Sequence, residues 1–397
     1  MDSFKLDGTY HQRGSSLVLC PSDPPYVARR HLATLRRCIH RLLARVSEIT
    51  SLVPASLFAS GVSLPDRDPV AGGGFADVYS AELSGQRVAL KRMRLFQLHS
   101  RERERVKKVS ALFREALIWK QLSHPYILPC LGIDSDTFPS QQMCIVSPWM
   151  KHGSILDCIA NKLRYVTELQ VNTLLRQIAE GLEYLHSENI VHGDLRGANV
   201  LVDDAFSPRL ADLGLSVFEE ATRGAFTSTS TTGSTRWMAP ELHSPESFGL
   251  EGARRTCASD VYAFACLCLE VYTEQPPFRN ITSDFAIALK VTKGERPNRP
   301  SKEECHGKEL RDDMWALMER CWSGDRSTRP NMVLVVADIQ SLEETVLKRP
   351  RTAEYASESP PDPFKLGSDS VLLTHDQLTP IASEVATLSW ALFEDEE

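Results

Sequence analysis

The chain has 397 residues, 42% of them hydrophobic and 24% charged, and a formal net charge of −7. That composition supports a sizeable packed core, and the negative balance argues against a general nucleic-acid binder. No apolar run reaches the ~18 residues of a membrane span, and Met1 to Lys5 opens no signal-peptide core. The 10 cysteines are scattered, without a C-x-x-C pair or a spacing that brings in a histidine ligand. Cys266 and Cys268 lie in an apolar run and read as buried thiols. A reducing compartment is expected, cytoplasmic or nuclear.

Residues 1–25 are polar, end in Pro21-Ser22-Asp23-Pro24-Pro25, and are expected to be disordered. From Val27 to Ile49, Leu32, Leu35, Ile39, Leu42, Val46 and Ile49 recur at steps of three and four, which lines one face of a helix. Residues 26–64 are therefore read as an amphipathic helical extension, docked on its own domain or offered to a partner. From Val70 the pattern turns strand-like. Ala71-Gly72-Gly73-Gly74-Phe75-Ala76-Asp77-Val78-Tyr79 is a glycine-rich turn entering an alternating strand, and Gln86 to Lys91 follow a Ser84-Gly85 turn. Such a hairpin can bring backbone N–H groups close to phosphates, because no Cβ stands in the way.

A helix is expected from about Arg101 to Leu122, containing Glu115, then strands near Ile127–Leu131 and Met143–Val146. After a link, Ser147 to Gly153, Leu174, Leu175, Ile178, Leu182 and Leu185 mark one face of a helix from Val171 to Ser187. It leads into Val191-His192-Gly193-Asp194-Leu195-Arg196-Gly197-Ala198-Asn199-Val200-Leu201-Val202, a polar loop between apolar, β-prone flanks. An Asp and an Asn five residues apart suit a loop that holds a carboxylate over a substrate hydroxyl and an amide oxygen over a metal.

These stretches, in this order, resemble a eukaryotic protein kinase over residues 65–343. The polar loop resembles H-R-D-L-x-x-x-N. Val88-Ala89-Leu90-Lys91 resembles V-A-I-K, with Glu115 in the following helix. Asp212-Leu213-Gly214 resembles D-F-G, and Ala239-Pro240-Glu241 matches A-P-E. Between the last two lies a hydroxyl run, Thr227 to Thr232. Ser259-Asp260 resembles the start of the kinase αF helix, and Arg329 the late arginine that meets the A-P-E glutamate, Glu241. Leu195-Arg196-Gly197-Ala198-Asn199 together with Trp237-Met238 looks like the tyrosine-kinase-like group, which mostly phosphorylates Ser and Thr.

The resemblance implies an α+β, bilobal fold: a small β-rich N-lobe with an αC helix and a larger, mainly helical C-lobe. It also implies transfer of the γ-phosphoryl of Mg·ATP to a protein hydroxyl. Asp194 would accept the hydroxyl proton and Arg196 would stabilise charge on the moving phosphoryl. Lys91, ion-paired with Glu115, would position the phosphates, and Asn199 and Asp212 would bind metal. Ala71, Gly72, Gly73, Gly74, Val78 and Ala89 would line the nucleotide, and adenine would meet the Pro148 carbonyl and the Met150 N–H. The partners implied are ATP and protein substrates.

The chain departs from the family at Ala71 and Ala76, which replace glycines, and above all at Gly193, where kinases usually carry the arginine that pairs with activation-segment phosphate. Control without activation-segment phosphorylation is expected. A pseudokinase scaffold, a small-molecule phosphotransferase and a dual-specificity or tyrosine kinase are the other readings. Residues 344–397 form an acidic tail expected to be mostly disordered, in which Ile381 to Phe393 could make a short docking helix.

Overall fold

A computed structural model describes residues 53–348, apart from 73–75, 94–101, 139–141, 164–165, 214–216 and 219–233, together with Ile39, Leu42, Val46 and Ser47. The first lobe is a sheet of β1 (Val62–Ser63), β2 (Ala71–Gly72), β3 (Ala76–Leu83), β4 (Gln86–Met93), β5 (Gly132–Asp134) and β6 (Cys144–Pro148). The order is β1-β3-β4-β6-β5 with β2 on β3, and neighbours run antiparallel. Ser84 and Gly85 have φ of 52° and 76°. Two positive φ values twist a two-residue loop as its flanking strands require, so the pairing of Leu83 with Gln86 is fixed by the turn.

Strand alternation then divides the side chains. Tyr79, Ala81, Val88, Leu90 and Val146 bury against Phe138 on one face, which leaves Ala89 and Lys91 on the other. On that second face lies α1 (Glu102–Lys120), whose Leu112, Phe113, Ala116 and Leu117 pack with Ile133 and Ile145. These positions fall at helical steps of three and four.

The larger lobe is helical: α2 (Ile155–Asn161), α3 (Glu168–Ser187), α4 (Pro240–His243), α5 (Cys257–Thr273), α6 (Asp284–Thr292), α7 (Asp312–Cys321) and α8 (Met332–Leu347). Its leucine stripe on α3 is fully buried. Capping boxes start three helices, Ser154 with Asp157, Thr167 with Gln170 and Thr256 with Ser259, each worth about 1 kcal/mol. The α5 helix is buried on all sides from Ser259 to Thr273, as expected of a helix apolar all round. Cys266 and Cys268 are buried there, and burial pushes both thiols far up. Two short pairs, β7 (Ile190–Val191) with β10 (Val217–Phe218) and β8 (Val200–Val202) with β9 (Pro208–Leu210), flank the polar loop.

Two expectations change. Ile127–Leu131 is not a strand of the first sheet: Ile127 bridges Leu210, and Leu128 donates to the Leu210 carbonyl at 2.9 Å. The apolar run is buried, but against the second lobe, and sheet pairing begins only where Leu131 donates to Val146 at 2.8 Å. Residues 53–63, expected in a helical extension, instead form a 3-10 turn (Ala55–Leu57) and β1. Pro54 caps that turn and Phe58 after it is extended, bridging Ile133. Of the N-terminal stripe, Ile39, Leu42 and Val46 are described; Ile39 is half-buried, and Leu42 and Val46 are exposed. The remainder of that stripe, Gly73 and Gly74, Gly214, Thr227 to Thr232 and residues 349–397 lie outside the described residues.

Candidate active site

The polar loop is held from beneath by one buried carboxylate on α5. Asp260 accepts the N–H of His192 at 2.8 Å through Oδ2 and that of Gly193 at 2.9 Å through Oδ1. His186 Nε2 lies 3.0 Å from Oδ2. Gly193 has φ of +80°, a conformation glycine adopts without the steric penalty a side chain would bring. His192 is buried and its Nε2 meets the Ala211 carbonyl at 3.1 Å, which ties the loop to the strand end before Asp212.

Asp194 stands at the top of this scaffold. Its Oδ2 accepts from Asn199 Nδ2 at 2.9 Å, and the same amide reaches the Asp194 carbonyl at 2.7 Å. Arg196 Nε is 3.6 Å from Oδ2. The free edge of the carboxylate, Oδ1, accepts the hydroxyl of Ser234 at 2.6 Å. An oriented carboxylate with an alcohol already on it has the geometry required of a general base.

Across the cleft, Lys91 Nζ lies 2.5 Å from Asp212 Oδ1. Burial works against both charges, yet each stabilises the other: the Lys91 ammonium is held above its ordinary range and the Asp212 carboxyl below its own. Asp212 has φ of 59°, the left-handed region that Asp tolerates better than most residues. Leu213 after it is buried in the main core.

Glu115 does not close its expected pair. Its Oε1 is buried with no hydrogen-bond partner, and burial raises the carboxyl to about 7 even though Lys91 pulls it down. The amine nearest to it has gone to Asp212 instead, where the partner is ionised and 39% exposed. A carboxylate that can remain hydrated costs less to charge than one closed in behind the sheet.

The donor set for a divalent cation is hard oxygen. Asp212 keeps Oδ2 clear of Lys91, and Asn199, with its nitrogen engaged on Asp194, has its amide oxygen left over. Carboxylate and amide oxygens suit magnesium. The cleft is walled by β2 and β3, where Ala71 opposes Val78 and Gly72 opposes Asp77. Val78 in turn faces Lys91, and Ala89 faces Ser147. At the link between lobes Pro148 ends β6, and the Met150 N–H makes no internal hydrogen bond among the described residues.

The late pair forms as expected. Arg329 and Glu241 make two bonds of 2.7 Å, both buried, and Arg329 also donates to the carbonyls of Ala258 and Ser323 at 2.9 Å.

Three residues of the site carry no clear mark in the sequence. Ser234 sits on Asp194, although along the chain it is one hydroxyl among many. Glu270, 3% exposed, accepts from the Gly197 N–H at 2.8 Å and from Trp237 Nε1 at 2.7 Å. It thereby joins the polar loop to the segment before Ala239, and burial raises it to about 7. A lone acid inside the apolar run Val261 to Val271 was the available signal. Arg255 lies within the electrostatic influence of Asp194 and Asp260, and burial lowers its basicity; nothing in its local sequence marks it.

A two-lobed fold with a lysine, two aspartates and an asparagine facing one cleft defines a nucleotide-dependent phosphotransferase. The family model for protein tyrosine and serine/threonine kinases matches residues 67–339, more than half of the chain, and the protein belongs to that family. It is 29% identical over 290 residues to the serine/threonine/tyrosine-protein kinase HT1 of Arabidopsis thaliana, covering 72% of this chain and 68% of that one. It is 29% identical over 276 residues to the Arabidopsis serine/threonine-protein kinase STY17, covering 69% and 43%. The Arabidopsis serine/threonine-protein kinase CTR1 is 27% identical over 292 residues, covering 72% and 32%. The chain thus spans about a third to two thirds of these relatives. Among the described residues no helix is long and apolar enough to cross a membrane.

Proposed function

We propose that this protein transfers the γ-phosphoryl of Mg·ATP to Ser and Thr hydroxyls of protein substrates. The observation that carries the reading is Asp194: Asn199 orients its carboxylate, and its outer oxygen accepts a seryl hydroxyl at 2.6 Å. A substrate hydroxyl placed there would lose its proton to Asp194 as its oxygen attacks phosphorus. Arg196, beside the same carboxylate, would stabilise charge on the moving phosphoryl. Lys91 would leave Asp212 for the α- and β-phosphates and for Glu115. Asn199 and Asp212 would hold magnesium, which when bound neutralises charge on the phosphate oxygens.

Serine and threonine are favoured as acceptors by the names of the relatives. The name of HT1 also includes tyrosine, which supports a dual-specificity reading as the second choice. Gly193 offers its N–H to Asp260 and has no side chain to meet a phosphate, which supports activity independent of activation-segment phosphorylation. Among the described residues the cysteines are free and mostly buried, which supports a reducing, cytoplasmic setting.

Incubation of the full chain with Mg·ATP and a generic protein substrate tests the assignment. Asp194→Asn and Lys91→Met should each lower phosphate incorporation by about 10²-fold or more, and phosphoamino-acid analysis should return phosphoserine and phosphothreonine. Incorporation that survives both changes would overturn the roles of Asp194 and Lys91. Phosphatase treatment should leave the specific activity unchanged.

A further inference from the structure

The family match begins at residue 67, yet the chain just before it is built into the back of α1. Leu57 is 2% exposed and shares a core with Phe113, Ala116 and Leu117. The Phe58 ring meets the Phe113 ring edge-on at 6.1 Å. Two polar latches hold the segment in place. The Ala59 N–H donates to the Ile133 carbonyl at 2.8 Å, and Lys120, in the last turn of α1, donates to the carbonyls of Ser56 and Leu131. Gly132 makes room for it, since a Cβ there would stand 2.5 Å from the Leu57 carbonyl oxygen. Residues 55–59 therefore touch both ends of the α1–β5 connection as well as the helix itself.

Phe113 and Glu115 are two residues apart, about 200° around the helix. The face loaded by Leu57 and Phe58 is thus nearly opposite the face that carries Glu115. Because a packed helix shifts as a unit, how closely Leu57 and Phe58 seat on the first face sets where Glu115 stands relative to Lys91. The Glu115 carboxylate, free of a hydrogen bond at Oε1, is the part of the cleft whose partner depends on that movement.

We propose that Leu57 and Phe58 are positioning residues for phosphoryl transfer: a wedge from outside the family domain that backs α1 and sets how closely Glu115 approaches Lys91. The proposal rests on the roles of Lys91 and Glu115 in binding the phosphates. Packed side chains transmit such a displacement because they cannot be compressed, and misplacement of a positioning group by an ångström can cost ~10²-fold in rate.

The test is a double-mutant cycle on the full chain, read as kcat and as KM for Mg·ATP. Phe58→Ala should lower kcat about tenfold or more, with KM changing less than kcat, and Phe58→Leu, which keeps the apolar bulk, should restore most of it. Lys120→Met, which unlatches the segment and leaves the core side chains in place, should give the same pattern more weakly and stands in if Phe58→Ala does not fold. In a Glu115→Gln background Phe58→Ala should have almost no further effect. If Glu115→Gln lowers kcat but Phe58→Ala and Lys120→Met do not, or if their effects simply multiply with it, the wedge is wrong and the assignment of Glu115 stands. If Glu115→Gln itself leaves kcat unchanged, the role of Glu115 falls, and the wedge with it.

Discussion

Two charged pairs expected from the sequence meet opposite fates in the two lobes. Arg329 and Glu241 are closed, bidentate and buried, with two further guanidinium donors on carbonyls. Lys91 and Glu115 are not joined. The lysine sits on Asp212, and Glu115 keeps a bare oxygen. The first pair has every polar atom of its arginine within reach of an acceptor, so nothing is gained by rearrangement. The second lies in the proposed phosphate site, where a pair already saturated would have to be broken to admit a ligand. The large lobe is thus built to hold still, and the cleft to exchange partners.

The largest effect should come from breaking the buried pair. Arg329→Ala leaves Glu241 buried without its counter-charge and should cost about 3–5 kcal/mol in urea unfolding. A loss below about 1 kcal/mol would show that the large lobe does not depend on it. Glu270 tests the same lobe by titration. Its folded value, about 7, is raised above the ordinary 4.5 by burial, so the folded protein holds that proton more tightly than the unfolded chain. Its contribution to stability is fully present below the ordinary value and is lost as pH climbs to about 7. Measured against Glu270→Gln, which does not titrate, the native protein should therefore lose on the order of 1–3 kcal/mol of relative stability between about pH 5 and 8. A constant difference over that range would place the titration elsewhere. The smallest effect belongs to the cleft. Lys91→Met should change stability by about 1 kcal/mol or less, because its partner Asp212 remains partly hydrated, while nearly abolishing activity. An equal loss of both would make Lys91 a scaffold residue and erase the contrast between the lobes.

Local pattern was enough for much of this. The Ser84-Gly85 turn, the leucine stripe on α3, the buried thiols on α5 and the pairing of Arg329 with Glu241 were all legible, the first three from periodicity and turn chemistry and the last from the kinase resemblance. The run Ile127–Leu131 misled because an apolar stretch announces burial without saying against what, and the second lobe claimed it through Leu210. Ser234 and Glu270 were illegible for a related reason: a hydroxyl or an acid gains its meaning from the group it meets, and Asp194 lies 40 residues from Ser234 along the chain.

By itself, then, the sequence determined the order of the elements and the residue types that reach the cleft, because turns, caps and hydrophobic periods act over a few residues. Only the tertiary structure decided which carboxylate takes Lys91, which hydroxyl rests on Asp194, and that residues 53–63 brace α1 rather than extend a helix. Each of those outcomes is set by the competition between burial and charge among groups far apart in the chain, and that competition has no local signature.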